Sequence, residues 1–269
     1  MLQSEKDDII NTAHALAEAA RQAVLPFFRA EGLSADNKSD KTADGRFDPV
    51  TEGDRAAERA MREILAARRP RDGIVGEEYG TTQGKSGLNW VLDPIDGTRG
   101  FLAGTPTWGV LIAASDANGP VFGVIDQPYI GERFWGGFGE ACMTGPLGER
   151  ELRVRGARPL NEALLFTTFP EVGSRSERAG FEAVSREVKL TRYGLDCYAY
   201  ALLAAGQIDL VIEAGLSNYD IQAPIAVIEA AGGLVTDWTG APAHDGGRVL
   251  AAANREQHAA ALAILSRFE

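Results

Sequence analysis

The sequence predicts a layered α/β protein in two parts, 1–145 and 146–269, from three observations about its texture. Apolar residues recur at helical spacing near the N-terminus. Residues 88–138 break into short apolar runs, and beyond residue 151 strand-like and helix-like segments alternate. Taken in order, residues 4–30 read as an amphipathic helix, with Ser4 and Asp7 resembling a capping box and Ile9, Ala13, Leu16, Ala20 and Val24 on one face. Residues 36–49 carry Lys, Asp and Gly without periodicity and read as a loop; a second helix follows over 54–69. WVLD, TWGVLIAAS, PVFGVIDQP and RFWGGF, separated by Gly, Pro, Asn and Asp, read as strands of one antiparallel sheet. ALLFTTF, VKLTRY, QIDLVIE and GGLVTDW then read as strands, with helices over 175–187, 195–206, 220–231 and 255–267. The two parts divide where Gly145, Pro146 and Gly148 cluster, and no repeat is visible.

Across 269 residues, 27 Lys+Arg face 38 Asp+Glu, a formal net charge of −11 with neutral histidines. Nucleic acid and anionic membrane surfaces attract basic proteins, so neither is an expected partner. The start, MLQSEKDDII, lacks the basic and apolar regions of a signal peptide, and no run approaches the roughly 18 apolar residues of a membrane span, so a soluble cytoplasmic protein is expected. Cys142, Cys197 and three scattered histidines make neither a disulfide framework nor zinc-ligand spacing, which leaves oxygen as the ligand for any metal.

The chemistry concentrates in Trp90-Val-Leu-Asp93-Pro-Ile-Asp96-Gly-Thr98, an apolar strand that runs into two aspartates. Pro94 fixes one dihedral and removes a donor, so Asp93 and Asp96 can converge on one point with the Ile95 carbonyl facing it. Two carboxylates forced together repel unless a cation lies between them. The competing reading is a tight Asp-Pro turn capping the next helix. Glu77, at the end of Ile74-Val75, and Asp220, at the start of another helix, bring further acids to strand and helix ends. Either alone could be a solvated carboxylate or a cap. Together they suit Mg²⁺, which takes octahedral oxygen ligands at about 2.0–2.1 Å. Thr51-Glu52-Gly53-Asp54 reads as a helix cap, or else Asp54 also pairs with Thr98 to orient an attacking water.

GEEYG at 76–80, WVLDPIDGT at 90–98, DPVTEGD at 48–54 and YDIQAPIAVIEAAGG at 219–233 resemble the motifs of the inositol monophosphatase superfamily of Mg²⁺-dependent, lithium-sensitive phosphatases. The resemblance runs from the first helix to the end of the chain. It implies an αβαβα five-layer sandwich, a homodimer, and direct hydrolysis of a small phosphate monoester with two or three Mg²⁺ ions. Carried over by motif, the implied metal ligands are Glu77, Asp93, the Ile95 carbonyl, Asp96 and Asp220. Thr98 and Asp54, with Glu77, are implied to activate the water, and the Gly97 and Thr98 amides to cradle the phosphate. A lysine of the preceding loop is expected to face the phosphate; Lys38 is preferred over Lys41.

Segments 97–113 and 194–220 resemble the histidinol-phosphatase branch most closely, because GLDCYAY sets Asp196 where inositol-selective members tend to have a small apolar residue. Histidinol phosphate carries an ammonium and an imidazole, and Asp196 and Glu213 would pair with that cationic end. Asp196 reads equally as a helix cap, and Glu213 as a strand-end acid that also suits inositol hydroxyls. Arg99 would screen the phosphate or stand solvated at the entrance. Trp108, Phe134, Trp135 and Phe138 read as core or subunit interface, Cys197 as a buried small hydrophobe, and no histidine as catalytic. The rival substrates are inositol 1-phosphate and related sugar or nucleotide monophosphates. A non-catalytic phospholigand sensor is a distant third, disfavoured because every implied ligand is retained.

Overall fold

The structure, a computed structural model, describes residues 1–37 and 49–268. Most of the stretch read as a loop, and both Lys38 and Lys41, lie outside the described residues. The chain opens with α1 (Gln3–Val24), β1 (Asp36–Asn37), β2 (Pro49–Val50) and α2 (Glu52–Arg68). Then come β3 (Gly73–Gly76), β4 (Gly80–Thr82), β5 (Asn89–Asp96) and the short α3 (Thr98–Ala103). A run of hairpins follows: β6 (Gly109–Asp116), β7 (Gly119–Gln127), β8 (Glu132–Gly137), β9 (Glu140–Gly145) and β10 (Gly148–Glu151). The remainder alternates through β11 (Leu164–Thr167), α4 (Arg175–Ser185), β12 (Leu190–Tyr193), α5 (Cys197–Ala204), β13 (Leu210–Leu216) and α6 (Asn218–Ala230). It closes with β14 (Leu234–Thr236), β15 (Gly247–Ala252) and α7 (Arg255–Leu265).

The first helix differs from the sequence reading at both ends. Its N-cap is Leu2, without a side-chain cap, so the Ser4–Asp7 box does not form. The helix stops at Val24 because Pro26 has no amide to continue the ladder, and one 3₁₀ turn, Leu25–Phe27, follows. For α2 the cap reading holds: Thr51 and Asp54 form a reciprocal capping box. The expected antiparallel strands form β5 to β8 of an eight-stranded sheet ordered β10-β9-β8-β7-β6-β5-β3-β4, in which β3 and β5 run parallel. That sheet extends through Glu151. The second sheet is ordered β12-β11-β13-β15-β14. β15 was not anticipated, since RVLAA is alanine-rich and weakly strand-forming; pairing with β13 and β14 on both sides makes it a strand.

Three apolar clusters stack these elements into five layers. α1 and α2 cover one face of the large sheet, burying Leu16, Met61, Trp90 and Trp108. The other face shares a cluster with α5, α6 and the small sheet, joining Phe134, Tyr200, Ile221 and Val211. α4 and α7 close the far side around Phe181, Trp238 and Leu265. The order is α, β, α, β, α. Glycines set the central spacing: a Cβ on Gly136 would fall 2.8 Å from Val227 Cα, so α6 can lie against β8 only because no side chain intervenes. Trp108 and Phe134 are each 1% exposed and belong to the core.

Candidate active site

The middle helical layer leaves a cavity of about 480 Å³ where strand ends and helix starts converge. Glu77 follows β3, Asp93 to Asp96 end β5, Thr98 opens α3, Cys197 opens α5, Glu213 lies on β13, and Asp220 is in the first turn of α6. Helix N-termini carry partial positive charge, so this is a favourable place to gather acids.

A break in pairing brings the two key aspartates together. In a regular strand residues three apart point to opposite faces. Here Asp93 pairs with Leu111 and Asp96 with Gly109, so three steps on β5 oppose two on β6; this bulge turns both carboxylates toward the cavity. The Ile95 amide donates to Asp93 Oδ1 at 3.0 Å, which fixes the turn from within. Asp96 reaches across the layer instead: its Oδ2 accepts the Cys197 amide at 2.6 Å and so caps α5. Asp220 Oδ2 accepts the Ser217 amide at 2.6 Å.

One oxygen from each of Asp93, Asp96 and Asp220 lies within 4.8 Å of the others. Burial, and then the Glu77, Asp96 and Asp220 carboxylates, push the Asp93 carboxyl well above the usual range. Burial, Asp196 and Asp220 do the same to Asp96, opposed by the Cys197 amide. Acids so placed hold protons or a cation, and an oxygen-only donor set suits a hard divalent ion. The residues therefore fit Mg²⁺.

Thr98 Oγ1 donates to the Ile95 carbonyl at 3.0 Å. Asp54 is fully buried behind the lining, and its Oδ2 accepts the Thr51 amide at 2.7 Å and hydroxyl at 2.6 Å. Gly97, at φ +84°, starts the α3 turn. The same cavity is lined by Asp196, Glu213 and Arg99. Asp196 stands at the N-cap position of α5 yet makes no capping hydrogen bond, since Asp96 has that amide. Its backbone, at φ +46° and ψ −139°, is strained, a feature that concentrates at functional sites. Its carboxyl packs against Gly97, where a Cβ would fall 2.8 Å from Asp196 Cγ. Burial raises it to about 6, with Arg99 and a Thr107 hydrogen bond opposing. Glu213 is raised to about 7, again by burial. Its Oε1 accepts the Thr168 amide and hydroxyl at 2.9 and 2.6 Å, and its Oε2 the Tyr200 hydroxyl at 3.2 Å. The Arg99 guanidinium stacks 5.2 Å from the Phe169 ring centre. Sequence reasoning missed Thr168, Tyr200, Phe169 and the Cys197 amide; only Cys197, beside Asp196 at a helix start, carried any signal.

The chain matches the inositol monophosphatase family over residues 5–268. It belongs to that family. It is accordingly a phosphoric monoester hydrolase. It is 40% identical over 239 residues to "Bifunctional phosphatase IMPL2, chloroplastic" of Arabidopsis thaliana, covering 88% of this chain and 66%, just under two thirds, of that one. It is 34% identical over 267 residues to a histidinol-phosphatase of Streptomyces coelicolor, covering 97% of each. Among solved structures, an inositol monophosphatase from Zymomonas mobilis superposes with a TM-score of 0.84 at 37% identity, over 99% of this chain and 100% of that one. The five-layer sandwich is thus the inositol monophosphatase fold.

Proposed function

We propose that this family member hydrolyses L-histidinol phosphate to L-histidinol and phosphate with Mg²⁺. The observation that carries the reading is a cavity whose lining adds two further acids, Asp196 and Glu213, to the cluster of Asp93, Asp96 and Asp220. A phosphate needs cations bound at that cluster, and a cationic leaving group complements Asp196 and Glu213. Full-length similarity to a histidinol-phosphatase supports the same choice.

Glu77, Asp93, Asp96, Asp220 and the Ile95 carbonyl would hold the Mg²⁺, which when bound supplies water activation and charge neutralisation on the phosphate. The chain's own groups do the rest. The Gly97 and Thr98 amides receive phosphate oxygens at the start of α3. Thr98, Asp54 and Glu77 orient the water and accept its proton. Arg99 screens the outer phosphate oxygens, and Lys38, outside the described residues, would add a cation. Asp196 and Glu213 fix the amine and imidazole end so that the phosphorus presents its open face. We take the enzyme to be a lithium-sensitive cytoplasmic homodimer with two or three Mg²⁺ per site, with the part before residue 145 supplying most of the metal ligands and the part after it supplying Asp220 and the substrate-recognising Asp196 and Glu213.

The second reading is an inositol-1-monophosphatase, favoured by the likeness to the Zymomonas mobilis enzyme and by Glu213, whose oxygens also suit sugar hydroxyls. Phosphate release from a panel of monoesters separates the two. Histidinol phosphate is expected to be turned over fastest, and a rate no better than that of inositol 1-phosphate would sink the proposal. Asp196→Ala sharpens the test: loss of an ion pair should lower kcat/KM for histidinol phosphate by roughly 10-fold or more, against much less for an uncharged ester.

A further inference from the structure

Glu58 lies outside the cavity lining, yet its carboxylate is fully buried. On α2 it stands one turn after Asp54 and one turn before Arg62, so the three side chains share one stripe of the helix. Arg62 Nε donates to Glu58 Oε1 at 2.8 Å. The carboxylate does more than pair with that guanidinium: Oε2 accepts the Glu78 amide at 2.7 Å, and Oε1 the Tyr79 amide at 3.2 Å. Arg62 extends the same grip, with Nη2 donating to the Gly80 carbonyl at 2.5 Å and Nη1 to the Thr82 hydroxyl at 3.0 Å. From below, Gly76 leaves no slack; a Cβ there would overlap Glu58 Oε1 and come 2.9 Å from Arg62 Nη2. Every residue from 76 to 80 except Glu77 is thus gripped by or packed on one side-chain pair, and Glu77 is the one that lines the cavity.

We propose that Glu58 is the positioning residue for Glu77, holding the turn between β3 and β4 so that the Glu77 carboxylate is delivered against Asp93 at a fixed offset from Asp54 on the same helix. A buried carboxylate that accepts two successive amides sets the path of that backbone, because charge-assisted bonds of this kind are short and directional. The Glu77 side chain lies within hydrogen-bond reach of the Asp93 carboxyl. Small rotations of the turn would therefore open the ligand set. This inference rests on the reading of Glu77 as a Mg²⁺ ligand.

The test is calorimetric titration of Mg²⁺ into metal-free wild type, Glu58→Gln and Gly76→Ala, without substrate, alongside thermal melts and Mg²⁺-dependent phosphate release. Glutamine keeps the shape but offers one acceptor oxygen in place of two. Gly76→Ala displaces the same carboxylate from the other side. Both are expected to bind Mg²⁺ about 10–100-fold more weakly, the usual effect of removing a group that orients a ligand. The double variant should be little worse than either, and high Mg²⁺ should restore much of kcat. A folded Glu58→Gln that melts earlier but binds Mg²⁺ like wild type would make Glu58 a packing residue and overturn the proposal; if that variant does not fold, Gly76→Ala decides by the same measure. Wild type that binds no Mg²⁺ would overturn the metal reading itself, and this inference with it.

Discussion

At the residue scale, the dominant fact is unfavourable crowding. Asp93 is buried beside three other carboxylates, and its proton is held well above the ordinary range. Near neutral pH, folding without a metal must therefore either keep protons on these acids or bear their repulsion. Asp93→Asn separates function from stability cleanly, because asparagine keeps the oxygen that accepts the Ile95 amide. It should lower Mg²⁺-dependent phosphate release by more than about 100-fold, beyond the loss expected for an outer-shell change. Relief of about 1 kcal/mol should meanwhile raise the metal-free melting temperature by roughly 2–4 °C. Lower activity together with a lower melting temperature would mean that Asp93 stabilises the fold rather than straining it. Asp126 forms a buried ion-pair cluster of the ordinary structural kind, holding Arg21 and Arg133 at 2.7 and 2.6 Å.

At the element scale, both sheets deform where they meet the cavity. β5 carries its bulge between Asp93 and Asp96, and β13 shifts register between Glu213 and Leu216. Bulges re-aim side chains, which is how strands with an alternating pattern can deliver acids to one point. The turn after β5 shows how little tolerance remains. Gly97 has φ +84°, a region that L residues enter at a cost of about 1–2 kcal/mol, and an added Cβ would also press on the Asp196 carboxyl. Gly97→Ala should therefore cost at least that much stability and lower kcat together with KM-dependent terms, since α3 and Asp196 both move. A melt unchanged within error would show that the turn relaxes freely. The Asp96 cap on α5 is the other coupling at this scale: one side chain is at once a proposed ligand and the anchor of the helix that starts beside Asp196.

For the whole molecule, the central cluster spans both sheets, so neither has an apolar core of its own on its inner face. The site lies in that shared layer, and its protonation is linked to global stability. Asp93, Asp96, Asp196 and Glu213 all have folded-state values raised above those of the unfolded chain, the last two to about 6 and about 7. The metal-free fold thus binds more protons than the unfolded chain across the window from ordinary carboxylate values up to about 7, so its stability falls as pH rises through that window. Burial lowers His14 and His258, which gives the opposite slope below their unfolded value. Magnesium isolates the site from this background, because binding must displace its protons. The gain in melting temperature from saturating Mg²⁺ over chelator should grow between about pH 5.5 and about pH 7.5. A gain independent of pH would mean that the acids are already ionised without metal.

Much of the site was legible in the chain: Glu77, Asp93, Asp96 and Asp220 stand at the ends of apolar segments, and that pattern is local. The layered α/β class followed from helical and strand-like texture and the five-layer order from the family resemblance, while β15 and the true start of α1 followed from neither, because pairing partners and cap geometry are not written in propensity. Which acids meet was decided only by tertiary structure. Asp96 caps a helix 101 residues away, Asp196 leaves that cap to it, and Glu58 holds a turn 20 residues on. The sequence by itself determined the inventory of oxygen ligands and so the class of chemistry. The fold determined their mutual distances and burial, and those quantities decide whether a carboxylate is a cap, a ligand or a support.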